Sequence, residues 1–324
     1  MFCALQGEWV RREATWLAGL CVATAVCAAT VALTHGATLR ALRRSWAGRG
    51  AGPVARVDAM PLPRVMLWAW ERPDDLSAVR PGEAGVAYLA GTITLREGNT
   101  GGDGFQFRPR LQPLKAASGV AKLSVVRIET SRGPLAATDA DGGDAAAAGL
   151  TDAQRERLVE TLARVAAFGS GPAMIQIDFD AAANERGFYE AVLAELRARL
   201  GVGARISITA LASWCEGDAW LEQLPAGTID EAVPMLFRMG PDSSRVASTL
   251  ESEGEFRAGV CRSSVGASDD EALSRAILAG DFAGSHEWSG KRVYVFHKGN
   301  WNAAATGAVL GELEKWHADF SASR

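Results

Sequence analysis

The sequence is poor in the residues on which several common chemistries depend. Four histidines occur in 324 residues, and those beyond the N-terminal region, His286, His297 and His317, lack the paired spacing of a zinc site. There is no Gly-x-Ser-x-Gly elbow, so the usual serine-hydrolase signature is missing. Gly290-Lys291 lacks the glycine and Ser/Thr spacing of a phosphate loop. Asp139, Asp141 and Asp144, within Ala136–Ala148, open like a calcium loop, but no Glu follows at the required distance. Positive charge is not in excess either. Lys and Arg number 34 against 38 Asp and Glu, a formal net charge of −4, so the basic footprint of a nucleic-acid binder is absent. No metal, cofactor or nucleic-acid partner is expected.

A second absence marks off the N-terminus. From Ala14 to Leu39 there is no Lys, Arg, Asp or Glu, and Trp16–Leu33 is almost wholly apolar. That length approaches the roughly 20 residues of a membrane span. Arg11 and Arg12 precede it, and no small-x-small cleavage site follows, so residues 1–44 read as a transmembrane anchor rather than a cleaved signal. Residues 45–61, rich in Gly, Ala, Arg and Pro, read as a linker, and 62–324 as the folded domain. Of five cysteines only Cys215 and Cys261 fall in that domain. They can pair in an oxidising compartment, but two buried free thiols are the expected state.

The domain is organised as alternating strand and helix patterns. Strands are expected at Arg64–Trp70, Gly85–Thr92, Leu123–Thr130, Met174–Asp180, Arg205–Leu211, Ala232–Met239, Gly259–Val265 and Arg292–His297. Helices are expected from a Thr151 cap to about Phe168 and from an Asn184 cap along Phe188, Val192, Leu196 and Leu200. Two more are expected over Ser268–Leu278 and Ala303–Phe320. Eight strands alternating with helices in about 260 residues point to an α/β fold, a (β/α)8 TIM-like barrel. Glu97–Lys122 shows no helical period and reads as a long loop, which leaves the second helix incomplete.

Strand alternation separates two faces. Ile175, Ile177 and Phe179 share one face, and Gln176, Asp178 and Asp180 the other. Val126 and Ile128 oppose Arg127 and Glu129; Ile206 and Ile208 oppose Ser207 and Thr209. In a barrel the apolar face meets the helices and the polar face lines the interior, with acids at the C-terminal mouth where such barrels place their sites. Asp180, Glu129 and Asp178 then come within the spacing of paired-acid glycosidases, roughly 5–9 Å. Crowded carboxylates divide into a proton donor and an ionised partner. Asp180 is expected to donate, with Glu129 as second carboxylate and Asp178 and Arg127 orienting them. Trp70, Trp214 and Trp301, at strand ends, can stack on a sugar face, and Arg238 can hydrogen-bond substrate.

The segments LPRVMLWAWERPDDL, GVAYLAGTI, VVRIET, IQIDFDA, SITALASWCEGDAWL and DEAVPMLFRMG together resemble a bacterial domain-of-unknown-function family, numbered 3142. The resemblance implies one barrel-like domain behind an export signal or anchor. More distantly the chain resembles chitinase-like glycoside hydrolases. Asp178-Phe-Asp180 stands where their fourth strand ends in Asp-x-Glu, and Met235-Leu-Phe237-Arg238 where their sixth has Met-x-Tyr-Asp. Arg40, Arg43, Arg44 and Arg49 follow the apolar run and favour a cytoplasmic domain by the positive-inside rule; the family resemblance favours the outside, and a periplasmic, inner-membrane-anchored domain is the expectation. The functional expectation is an envelope-associated barrel of glycoside-hydrolase type with a carbohydrate ligand. The alternatives are a non-catalytic barrel that binds glycan or protein, and an anchored scaffold.

Overall fold

A computed structural model describes residues 62–97, 104–132, 149–168, 173–279 and 290–321, with side chains up to residue 313. The expected anchor, the linker up to residue 61 and the aspartate-bearing insert at 136–148 lie outside the described residues. No helix among the described residues is long and apolar enough to cross a membrane.

Eleven strands are described: β1 Val65–Ala69, β2 Asp74–Leu76, β3 Gly85–Glu97, β4 Phe105–Pro109, β5 Leu114–Ala116, β6 Lys122–Arg132, β7 Met174–Asp178, β8 Arg205–Leu211, β9 Glu231–Met235, β10 Ser264–Ser268 and β11 Arg292–Phe296. Eight of them run parallel in the order β1-β3-β6-β7-β8-β9-β10-β11. The ring closes because β1 pairs with β11 on one side (Val65↔Val293) and β3 on the other (Met66↔Gly85). Closure leaves the ring without an open edge. The eight-stranded parallel ring of the expected (β/α)8 barrel is present, but no helix follows β1 or, among the described residues, β3.

Helices α1 Asp152–Ala166, α2 Arg186–Leu200, α3 Ala212–Glu216, α4 Trp220–Gln223, α5 Ser243–Glu253, α6 Ala272–Ala279 and α7 Ala303–Ser321 follow β6 and the strands after it. Thr151 caps α1 as expected. Its hydroxyl accepts from Gln154 N at 3.2 Å, and Gln154 Oε1 accepts from Thr151 N at 2.8 Å, a reciprocal capping box. Asn184 does not cap α2. A turn in which Glu185 Oε2 accepts from Ala182 N (2.7 Å) carries the chain past it, and the helix opens at Arg186.

Three other expectations shift. The seventh barrel strand is Ser264–Ser268, not Gly259–Val265, because Gly259–Cys261 winds into a 3-10 turn closed by Cys261 N on Ala258 O. That in turn moves the start of α6 from Ser268 to Ala272. The stretch Glu97–Lys122 contains no helix among its described residues, but it is not only loop. β4 folds back antiparallel on β3, and β5 pairs with β2. Its alternation is faint in the sequence because β4 is an edge strand of five residues that ends at Pro109.

The two faces separate as expected. Ile175, Ile177, Phe179, Val126, Ile128, Ile206 and Ile208 are buried against the helices with Leu158, Leu162, Val192 and Leu196. Inside the ring, Met66, Trp68, Leu123, Val125, Val233 and Tyr294 form a second cluster. Below the cavity the interior is a hydrogen-bonded chain. Trp68 Nε1 donates to Gln176 Oε1 (2.7 Å) and Gln176 Nε2 to Ser207 Oγ (3.1 Å); Ser207 Oγ donates to Glu231 Oε2 (2.9 Å). Tyr294 OH (2.8 Å) and Arg292 Nη1 (2.7 Å) complete Glu231. Every polar atom in that chain has a partner, which lets a polar core persist at low dielectric.

Cys215 and Cys261 are joined, with Cα atoms 5.9 Å apart, rather than being free thiols. Cys215 lies in α3 and Cys261 in the 3-10 turn, and Ala258 N donating to Cys215 O (3.0 Å) holds the two segments together. The bond closes a loop of 46 residues. Replacing both cysteines by alanine is expected to lower unfolding free energy by about 2–4 kcal/mol. Chemical denaturation of oxidised wild type against the double variant measures it, and equal midpoints would show that the bond restrains nothing.

Candidate functional site

At the C-terminal end of the strands lies a cavity of about 450 Å³, the end at which (β/α)8 barrels carry their sites. Its lining includes Trp68, Trp70, Arg127, Asp178, Asp180, Thr209, Met235, Phe237, Arg238 and Phe296. The aromatic walls are packed together. The Phe237 and Phe296 rings stack at 5.4 Å, Trp68 meets Phe237 edge-on at 6.0 Å, and Trp68 stacks on Tyr294 at 5.1 Å. Gly266 makes room for this floor, since a Cβ there would come within 2.8 Å of the Trp68 ring.

Asp178, the last residue of β7, is buried at the base of the cavity, and its Oδ1 accepts from the Thr209 hydroxyl at 2.7 Å. Burial, and next the charge of Asp180, push its pKa up to about 6. Thr209 and Arg127, whose Nε is 4.0 Å from Asp178 Oδ2, pull the other way. Asp180 lies just beyond the strand, where Ala181 N donates to Phe179 O (2.9 Å) and turns the chain. Its residue is exposed at the mouth, yet partial desolvation still raises its pKa against the pull of Arg127. The two aspartates thus share one cavity but sit in different surroundings.

Glu129 stays on the polar face of β6, but on the rim rather than in the cavity lining. Its Oε1 is 3.0 Å from Arg127 Nε, and both side chains are partly exposed. Arg238 lines the cavity with its guanidinium already engaged by Asp270 (3.0 Å) and Glu271 (2.8 Å). The left-handed backbone at Arg238 (φ 57°) aims its own N–H at Glu271. Trp70 stands at the mouth as expected.

Trp214 and Trp301 do not reach this cavity. Trp214 is buried behind the strands, edge-on to Trp220 at 5.0 Å. Trp301 is buried too, and its ring N–H donates to the carbonyl of Trp68 at 2.8 Å. A strand-end tryptophan faces the mouth only when its alternation phase is inward; Trp214 lies in α3, which starts directly after β8, and Trp301 lies beyond the end of β11, so strand alternation fixes neither. Trp301 holds backbone instead. Its own N–H donates to Asp74 Oδ1 (2.9 Å), and Asp74 Oδ2 meets Arg110 Nη2 (3.1 Å). Arg110 donates to the carbonyls of Ala69 (3.0 Å), Trp70 and Arg72 (2.5 Å). The exit of β1, where Trp68 and Trp70 stand, is therefore fixed by three buried side chains.

The sequence alone placed Thr209 on the inward face, but Trp68, Phe237 and Phe296 were not among the expected lining residues. The signal for Trp68 was its spacing of two from Trp70, the same alternation that paired Asp178 with Asp180.

No family model matches the chain, so the likeness to family 3142 finds no support there, and no curated protein matches it. Among solved structures, a protein described as chitinase A from Streptomyces coelicolor superposes with a TM-score of 0.46 at 12% identity, over 78% of this chain and 98% of that one. A GH18 chitinase from Pseudoalteromonas aurantia gives 0.42 at 12% (77% and 99%), and a family 18 chitinase from Crocus vernus 0.40 at 11% (79% and 99%). At such scores these likenesses carry no conclusion about activity, and the barrel rests on its own strand pairing.

Proposed function

We propose that this barrel is a carbohydrate-active domain of glycoside-hydrolase type, in which Asp178 and Asp180 form the working acid pair. The observation that carries the proposal is the unequal environment of two carboxyls in one aromatic-walled cavity. Environments that separate two acids assign them their roles. The buried member holds a proton to about pH 6, so Asp178, rather than Asp180, takes the donor role. As the glycosidic C–O bond breaks, Asp178 passes its proton to the departing oxygen. Asp180, as a carboxylate at the mouth, faces the positive charge building on the ring and accepts a proton from the water that adds to the anomeric carbon. That proton returns to Asp178 through solvent. Arg127, between Glu129 and Asp178, restrains both, and Trp68, Trp70, Phe237 and Phe296 offer flat apolar faces to a pyranose ring. The Cys215–Cys261 bond supports placement in an oxidising compartment such as the periplasm, reached through the anchor expected at 1–44.

The test is release of reducing ends from a panel of neutral polysaccharides by the full chain, followed from acid to neutral pH. Turnover is expected to decline as pH rises through about 6, because Asp178 loses its proton there. Asp180→Asn should lower turnover by about 100-fold while substrate still binds. Hydrolysis that survives both Asp178→Asn and Asp180→Asn would remove the acid pair from the chemistry.

A further inference from the structure

The wall that carries Arg127 continues above the rim of the cavity. β3 and β6 run past the ring of strands, pairing as far as Glu97↔Arg132, and β4 adds to β3 only over this extension, from Gly91↔Pro109 to Leu95↔Phe105. The result is a three-stranded apron standing above one side of the mouth. Cα partners in neighbouring strands turn their side chains to the same face. Thr92 is paired with both Arg127 and Arg108, and Thr94 with both Glu129 and Gln106. Arg127 lines the cavity, so the face bearing Thr94, Gln106, Arg108 and Glu129 is continuous with it. The opposite face, with Ile93, Leu95, Phe105 and Phe107, packs into the apolar core on the helix side, and the guanidinium of Arg157 lies 4.6 Å from the Phe105 ring.

Two features make this face more than a solvated surface. First, it is held rigidly against the cavity wall. Arg110, directly after β4, donates its N–H to Ala90 O (3.0 Å) while its side chain grips the carbonyls around Trp70. Arg108 pairs with Glu71, the neighbour of Trp70, at 3.2 Å. Second, its charges largely cancel in the pairs Arg108–Glu71 and Arg127–Glu129, leaving, among the described residues, Arg96 at the tip, while its donors and acceptors are hydroxyl, amide, guanidinium and carboxylate groups. Such a face repels neither sign and offers both halves of a hydrogen bond, which suits an uncharged polyhydroxylated chain.

We infer that the apron is an extended subsite for the sugar units adjoining the one held in the cavity, so that the substrate is a neutral oligosaccharide or polysaccharide rather than a mono- or disaccharide. This rests on the carbohydrate reading of the cavity. The test titrates the full chain with cello-, xylo- and chito-oligosaccharides of two and of six units, in wild type and in the Thr94→Ala/Gln106→Ala double variant. For whichever series binds, the hexamer should bind wild type about tenfold more tightly than the dimer, the worth of two or so hydrogen bonds. In the variant that ratio should fall below about threefold. A dimer that binds as well as the hexamer, or a length ratio unchanged in the variant, overturns the apron subsite and leaves the cavity reading standing. Absence of binding at both lengths in all three series overturns both.

Discussion

Arg110→Leu is expected to destabilise the domain by about 3–5 kcal/mol, the cost of leaving a buried charge without its partner. The Asp74 side chain is 1% exposed and that of Arg110 7%, so water cannot take over when the guanidinium is removed. The carbonyls of Ala69, Trp70 and Arg72 lose a donor at the same time. For a domain of this size the loss corresponds to a fall in melting temperature of roughly 10 °C. Arg110→Lys restores charge but not the planar fork that reaches several carbonyls at once, so it should recover only part of the loss. Adding Asp74→Asn to Arg110→Leu should recover some stability by removing the stranded carboxylate, giving a double-variant loss smaller than the sum of the two single losses. Thermal melts of the five proteins (wild type, the three single variants and the double variant) decide the matter: an Arg110→Leu melt within about 2 °C of wild type would mean the network holds nothing of consequence.

Arg110 also shows where sequence reading reaches its limit. The barrel was legible because its signal is periodic. Ile175-Gln-Ile-Asp-Phe-Asp180 and Val126–Glu129 each declare two faces within a few residues, and the position of the acids at strand ends declares the mouth. The helices α1 and α2 announced themselves through a Thr151-x-x-Gln154 capping box and a stripe four residues apart. Arg110 carries no such local mark. It lies between two prolines in what reads as loop, and the groups it grips from Ala69 to Asp74 are 36 to 41 residues earlier in the chain. Trp301 failed for the same reason in reverse. Its local setting, just past a strand end, resembled that of Trp70, and only the tertiary contact with Trp68 O separates a buried backbone prop from a cavity wall. Pairing of Cys215 with Cys261 likewise depends on a turn after α5, not on either residue's neighbours. Which aspartate is the more deeply buried is a matter of where β7 stops, two residues short of the expected end.

That burial makes Asp178 expensive to the fold. The pKa rises from 3.8 in the unfolded chain to about 6 in the folded one, so the folded state binds the proton more tightly. The stability contributed by the protonated carboxyl is complete below 3.8, declines as pH rises through 6, and is lost above it. Folding at neutral pH thus carries a penalty of up to about 3 kcal/mol relative to acid, with the attraction of Arg127 already included. Asp178→Asn removes the ionisation and keeps an oxygen to accept from the Thr209 hydroxyl. The variant should be more stable than wild type at pH 7 by several degrees, with the two melting curves converging as pH falls towards 4. Under the proposed function, turnover by Asp178→Asn should drop by about 100-fold over the same range, since the proposed proton donor is gone. Gain of stability with loss of activity is the signature of a site residue that the fold tolerates rather than needs. A variant that melts lower than wild type by the same margin at every pH would instead make Asp178 a structural acceptor for Thr209, ionised and comfortable, and the donor role would pass back to Asp180.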